Sequence, residues 1–150
     1  MPPSDSIPEI FRVDMNNLQA KFGFRQLERI DKTNKRRMEN ARILTRALKD
    51  IPGLELPPFT PDREHVAVHY AIWTEDNKGL QRFLILNKID AQNETAIDTT
   101  QLGRFKKYVN DEFPNARKLH EKLIFLPTHP NLKEKDLLYM AGKVKEFFRV

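Results

Sequence analysis

Four histidines, His65, His69, His120 and His129, are the first residues to weigh for chemistry. His65 and His69 stand four apart, which on a helix would set two metal ligands on one face. Here they fall in an alternating segment that reads as a strand, where four residues span about 13 Å. Zinc needs converging ligands, so no metal site is expected. His69 is expected to pack with its ring hydrogen-bonded. His129, in a loop between Thr128 and Pro130, has a functional reading because loops carry function; a structural role in the turn is the plainer reading. The carboxylates have ordinary helix roles, Asp31 with Lys35 at i,i+4 and Glu134 with Asp136 near a helix start. The five glycines show neither phosphate-loop nor dinucleotide spacing, and there is no Gly-x-Ser-x-Gly elbow. The absence of cysteine excludes disulfides, thiolate metal sites and cysteine nucleophiles. Residue chemistry alone therefore assigns no catalytic group.

The elements that would position these side chains follow from periodicity. Asn16 to Lys49 reads as helix, with apolar residues at Leu18, Phe22, Leu27, Ile30, Met38, Ala41, Leu44 and Leu48. Asn16 with Gln19 makes a capping-box pattern, and Pro52-Gly53 stops the run. A straight helix of that length would reach about 50 Å, too long for so small a domain, so a break is expected near Thr33-Asn34. Phe22 and Phe24 lie two apart, about 200° around a helix, and cannot both face one small core.

Further along, Leu54 to Leu56 reads as a short strand. Val66 to Trp73 reads as a strand inside a sheet, since both of its faces are largely apolar. Leu80 to Leu86 reads as helix, and Ile89 to Gln101 has no assignment. Pro114 suits the first position of a helix to about Glu121. Leu123 to Leu126 reads as a strand. Asn131 and Glu134 are placed to cap a last helix with the stripe Leu137, Ala141, Val144, Phe148. The fold expected is α/β, an α+β sandwich: a long N-terminal helix, a small sheet of short strands with helices packed on it, and a C-terminal helix.

The 150 residues, 39% hydrophobic and 31% charged, suit one soluble globular domain, with residues 1–10 a flexible lead-in and 11–150 the domain. There is no membrane-spanning run and no signal-peptide pattern, so a cytoplasmic location is expected. The net charge of +5 is concentrated: Lys21 to Lys49 holds ten Lys or Arg and three acids. A basic helix can meet nucleic acid or anionic lipid, but a solvated helix face is the ordinary reading of such a run.

Three ordered stretches carry a family likeness. The segment from Phe11 through Met15-Asn-Asn-Leu-Gln-Ala20 to Gln26-Leu-Glu-Arg-Ile-Asp31 resembles the DegT/StrS aminotransferase pattern Asn-Tyr-Arg-Met-Ser-Asn-Leu-Gln-Ala-Ala followed by Gln-Leu-Glu-Arg-Leu-Asp. The likeness runs on through Arg36-Arg37 and into Pro52-Gly-Leu-Glu-Leu-Pro57. Phe113-Pro-Asn-Ala116 and Leu126-Pro-Thr-His-Pro-Asn-Leu132 resemble two later motifs of the same family. The resemblance covers residues 11–150. It implies the small C-terminal domain of an aspartate-aminotransferase-like, fold type I enzyme. The family's enzymes hold pyridoxal phosphate on a lysine of a large N-terminal domain, and move an amino group from glutamate to a keto sugar, usually nucleotide-linked.

The matching motifs belong to the part of the family's chain that follows that lysine. These 150 residues are therefore expected to be inactive alone, to bind no cofactor alone, and to partner a large domain or form a homodimer. Two positions depart from the pattern. The family's asparagine that reaches the cofactor phosphate across a dimer is here Arg12, and its arginine is Asp14. Arg12 is thus the one candidate cofactor-binding residue, able to hold a phosphate by charge-assisted hydrogen bonds; as an exposed lead-in residue it would do nothing. The family's His-Tyr-Pro substrate loop corresponds to the region of Ala91 to Ile97, which has no His-Tyr pair. Two other readings stand behind the family one: a non-catalytic interaction domain, and, below it, a basic nucleic-acid-binding module, which lacks the interleaved aromatics of a known motif.

Overall fold

The computed structural model describes residues 14–60, 64–93 and 99–150. Helix α1 (Asn17–Leu27) begins at the expected capping box: Asn16 Oδ1 accepts from Gln19 N at 2.9 Å, and Gln19 Oε1 accepts from Asn16 N at 3.0 Å. The break comes at Glu28-Arg29, not at Thr33-Asn34, and α2 spans Ile30–Leu48. Arg29 N turns back to Gln26 O at 3.1 Å, a three-residue bond that tightens the turn. The reason for the shift is packing. Asn40, Ala41, Leu44 and Leu48 are buried on one face of α2, and a straight continuation would carry α1 past the end of the core. At Thr33, helical bonding has already resumed, with Thr33 N on Arg29 O at 3.0 Å.

Strand β1 (His69–Trp73) pairs antiparallel with β2 (Leu123–Pro127), in register from His69 opposite Pro127 to Trp73 opposite Leu123. Two single bridges widen this ladder: Glu55 beside Trp73, and Gln92 beside Phe125. The expected strand at Leu54 to Leu56 is thus reduced to one bridged residue. The longer strand from Val66 is shortened too. Ala67 adopts a left-handed φ of 46°, which ends extended pairing, and Val66 and Val68 are 42% and 51% exposed. Among the described residues the sheet is therefore narrow, and its strands are not enclosed on both faces.

Tyr70, Ile72, Ile124 and Leu126 form the closed face of the sheet and are fully buried. Against them pack α2, helix α3 (Asn77–Leu86) and helix α5 (Glu134–Phe148). The Tyr70 hydroxyl shares a hydrogen bond of 2.8 Å with Thr45 Oγ1 of α2. Burial pushes its phenol up to about 12, with the Thr45 hydroxyl pulling the other way, so it stays a protonated packing group. The α3 start is capped by Asp76, whose Oδ1 accepts from Gly79 N at 2.9 Å. Pro114 opens helix α4 (Pro114–Lys122) as expected, and two 3₁₀ helices (Thr99–Gln101 and Gly103–Tyr108) precede it.

The last helix is capped two residues later than its sequence suggests. Lys133 is the N-cap, and Asp136 accepts its backbone N–H at 2.9 Å. Asn131 instead donates its backbone N–H to His129 Nδ1. In the α5 stripe Met140 joins Leu137, Ala141 and Val144, while Phe148 is only half-buried.

Two buried polar side chains lock these layers. Asn40 Nδ2 donates to Thr128 O at 3.3 Å and to His129 O at 3.0 Å. Thr128 Oγ1 reaches Ala67 O at 2.7 Å and Val68 O at 3.0 Å. Helix α2, the exit of β2 and the entry of β1 are thereby joined. A buried carbonyl stripped of its donor costs about 1–3 kcal/mol. Asn40→Ala, which strips two, should destabilise the chain by about 2–3 kcal/mol in urea unfolding; an unchanged midpoint would contradict this.

A gain is available at Lys88. It follows α3 with φ 65°, Lys88 N bonds to Ile85 O, and Ile89 N bonds to Leu84 O at 2.9 Å. This is a Schellman ending, with buried Ile89 and Leu84 closing it. A lysine in the left-handed region carries a steric cost that glycine lacks. Lys88→Gly should stabilise by about 0.5–1 kcal/mol. The check is an upward shift of the urea midpoint at constant m-value.

Candidate functional site

The polar side chains gather where β1 begins and β2 ends. Arg37, half-buried on α2, donates from Nη1 to Val68 O at 3.1 Å. His69 is exposed, its ring 5.3 Å from the ring of Phe125 on the open face of the sheet. It therefore does not pack in the hydrogen-bonded pocket expected for it: its side chain alternates away from Tyr70 and Ile72, which take the closed face. Beyond the pair lie Asp90 and Gln92, where Gln92 Nε2 donates to both carboxylate oxygens at 3.3 and 3.4 Å. His129 follows Thr128, and its Nδ1 accepts from Asn131 N at 3.3 Å. These groups line one cavity of about 200 Å³.

The other histidines stand elsewhere. His65 lies before β1 and meets Phe59 edge-on, with ring centroids 5.4 Å apart. It lines a wider, open depression of about 790 Å³ beside Asp31, Lys35, Met38 and Arg42 of α2. His120 is exposed on α4. Among the described residues no group of three His, Cys, Asp or Glu could hold a metal ion. No described helix is long and apolar enough to cross a membrane. Arg12, the candidate cofactor-binding residue, lies outside the described residues, as does part of the segment Ala91 to Ile97.

Lysine chemistry can be judged directly. None of the described lysines is buried. A lysine that forms Schiff bases must lose its proton near neutrality, which burial or a neighbouring cation achieves. Lys122 and Lys143 move the opposite way: hydrogen bonds to Glu75 and Glu146 raise their proton affinity above the ordinary lysine value. The described residues thus do not fit covalent attachment of pyridoxal phosphate, and they assemble no nucleophile with a base.

Residue chemistry did not single out Asn40 or Thr128, which organise this end of the fold. A signal was available for Asn40, which sits beside Ala41 in the buried stripe of α2; a polar residue there needs a buried partner.

Helix α1 is a second feature of note. None of its residues is buried, and Leu18, Phe22 and Phe24 are 78%, 66% and 64% exposed. The expectation that one phenylalanine would face outward is exceeded, because both do.

The DegT/DnrJ/EryC1/StrS aminotransferase family profile matches residues 10–145. The chain is 27% identical over 132 residues to a dTDP-4-dehydro-2,3,6-trideoxy-D-glucose 4-aminotransferase of Saccharopolyspora spinosa, covering 87% of this chain and 34% of that protein. It is 28% identical over 154 residues to the spore coat polysaccharide biosynthesis protein SpsC of Bacillus subtilis, covering 93% of this chain and 38% of that one. The chain thus spans little more than a third of the curated relatives it matches. Its fold is shared with S. venezuelae DesV, at TM-score 0.83 and 23% identity over 91% of this chain and 37% of that chain. It is shared also with Helicobacter pylori PseC, at TM-score 0.78 and 23% identity over 90% and 38% of the two chains. With the profile matched over nearly its whole length, the chain belongs to the DegT/DnrJ/EryC1/StrS aminotransferase family.

Proposed function

We propose that these 150 residues are the C-terminal small domain of a pyridoxal-phosphate-dependent, fold type I aminotransferase that acts on a keto sugar. The sugar is nucleotide-linked, and the product serves amino-sugar and cell-surface polysaccharide synthesis in the cytoplasm. The observation that carries this reading is the family match over residues 10–145, supported by relatives whose names specify dTDP-sugar transamination. In this reading the cofactor-binding lysine is contributed by a large domain outside these 150 residues. When bound there, pyridoxal phosphate supplies the electron sink for amino transfer. The domain described here supplies a folded wall and contact surfaces. Arg12 is the proposed contact to the cofactor phosphate, by charge-assisted hydrogen bonding.

The exposure of the described lysines sets the first test. The purified 150-residue chain should show no transaminase activity and no covalent capture of pyridoxal phosphate. Mixing the two and recording absorbance against free cofactor is the direct measurement. A stoichiometric bound spectrum, abolished by substituting one lysine, would overturn the proposal that the chain is inactive alone.

Helix α1 sets the second. Its apolar side chains lie on opposed faces, and apolar patches of this kind mark contact sites. In the complete enzyme α1 is proposed to pack on the large domain and on a second subunit. Lacking both, the isolated chain should self-associate through this helix in a symmetric contact. Light scattering across a concentration series should report dimers for the parent and monomers for the Phe22→Ser, Phe24→Ser variant. A parent that stays monomeric throughout would count against the contact.

A further inference from the structure

The cavity at the start of β1 is lined by none of the residues that the proposed function uses. Its volume of about 200 Å³ corresponds to about seven waters at their liquid volume. Drug-sized pockets begin at about 300 Å³, so the cavity suits an inorganic ion or one terminal group of a larger molecule.

Its chemistry is mainly that of donors. One guanidinium nitrogen of Arg37 is committed to Val68 O, which orients the planar fork and leaves its remaining N–H groups for another acceptor. The backbone N–H of Asn131 occupies Nδ1 of His129, so the neutral ring carries its proton on Nε2 and donates from there. His69 brings a second imidazole, held against Phe125. The opposing charge is Asp90, and Gln92 already donates to both of its oxygens.

These groups are positioned in advance. Thr128 bonds to the carbonyls of Ala67 and Val68, and Asn40 bonds to those of Thr128 and His129. Ala67 is held at φ 46° between them, a conformation that a non-glycine residue keeps only when its surroundings impose it. The backbone that presents His69 and His129 is therefore tied down before any ligand arrives, which reduces the ordering cost of binding.

We infer that this cavity is a binding site for a small oxyanion, a phosphate or carboxylate group held by Arg37, His129 and His69. Asp90 faces the same space and limits affinity at the bare site. The ring C–H resonances of His69 and His129 report on both walls, so the test is an NMR titration of the 150-residue chain. Inorganic phosphate replaces chloride at constant pH and ionic strength, with acetate in a parallel arm and methyl phosphate in a third. Both rings should shift saturably with phosphate. Acetate binding as well would assign the site to oxyanions in general, and tighter binding of methyl phosphate would assign it to esters rather than the free ion. Arg37→Gln should weaken binding at least about tenfold, as loss of a bidentate charged donor does. Asp90→Asn, at an exposed position that leaves the fold intact, should tighten it several-fold by removing the repelling charge. The inference fails if the shifts are linear and unsaturated, if chloride alone reproduces them, or if Asp90→Asn binds no more tightly than the parent.

Discussion

The fold depends on one buried polar connection, from Asn40 through Thr128 to Ala67 and Val68. A sheet this narrow cannot hold its register by ladder bonds alone; two strands are marginal in water. Asn40 binds the chain leaving β2, and Thr128 binds the chain entering β1. Without them the carbonyls of Ala67, Thr128 and His129 would lose these donors, while Val68 O would keep only its bond from Arg37. The apolar contacts among α2, α3, α5 and the closed sheet face supply most of the stabilisation, but they are non-directional. The polar connection decides which of many apolar packings is adopted, and it costs one orphaned acceptor, Asn40 Oδ1, which has no partner among the described residues.

The same arrangement leaves two surfaces uncovered. Closing one face of the sheet leaves the other, with His69, Ala71 and Phe125, open or half-open. Breaking the first helix at Glu28-Arg29 sends α1 away from the core with its apolar side chains uncovered. A stable monomer rarely leaves so much apolar surface to water. The described part of the chain thus leaves apolar surface uncovered on α1 and on one sheet face.

Much of the architecture was legible in local patterns. The capping box at Asn16 and Gln19, Pro114 at a helix start, and the buried stripe of α2 and α5 all depend on neighbours within four residues, and all are found. The family likeness was legible too, because three motifs in order are far more specific than any one amphipathic helix. Less legible was anything set by a residue far away in sequence. Val66 to Trp73 has good alternation, yet pairing starts only at His69, because Ala67 before it is held at a left-handed φ of 46° with its carbonyl bonded to Thr128, 61 residues on. His69 has the same neighbours whether it faces the core or the open side, and only the pairing with β2 selects the face.

By itself the sequence determined the main helices and their caps, the lack of a thiol, and membership of an aminotransferase family. These follow from composition, short-range periodicity and motif order. Tertiary structure alone decided where the first helix breaks, that both Phe22 and Phe24 face outward, and that Arg37, His69 and His129 share one cavity. Those outcomes turn on which surfaces meet across separations of 31 to 96 residues. Local propensity carries no information about such meetings, because it measures only what a residue prefers next to its neighbours.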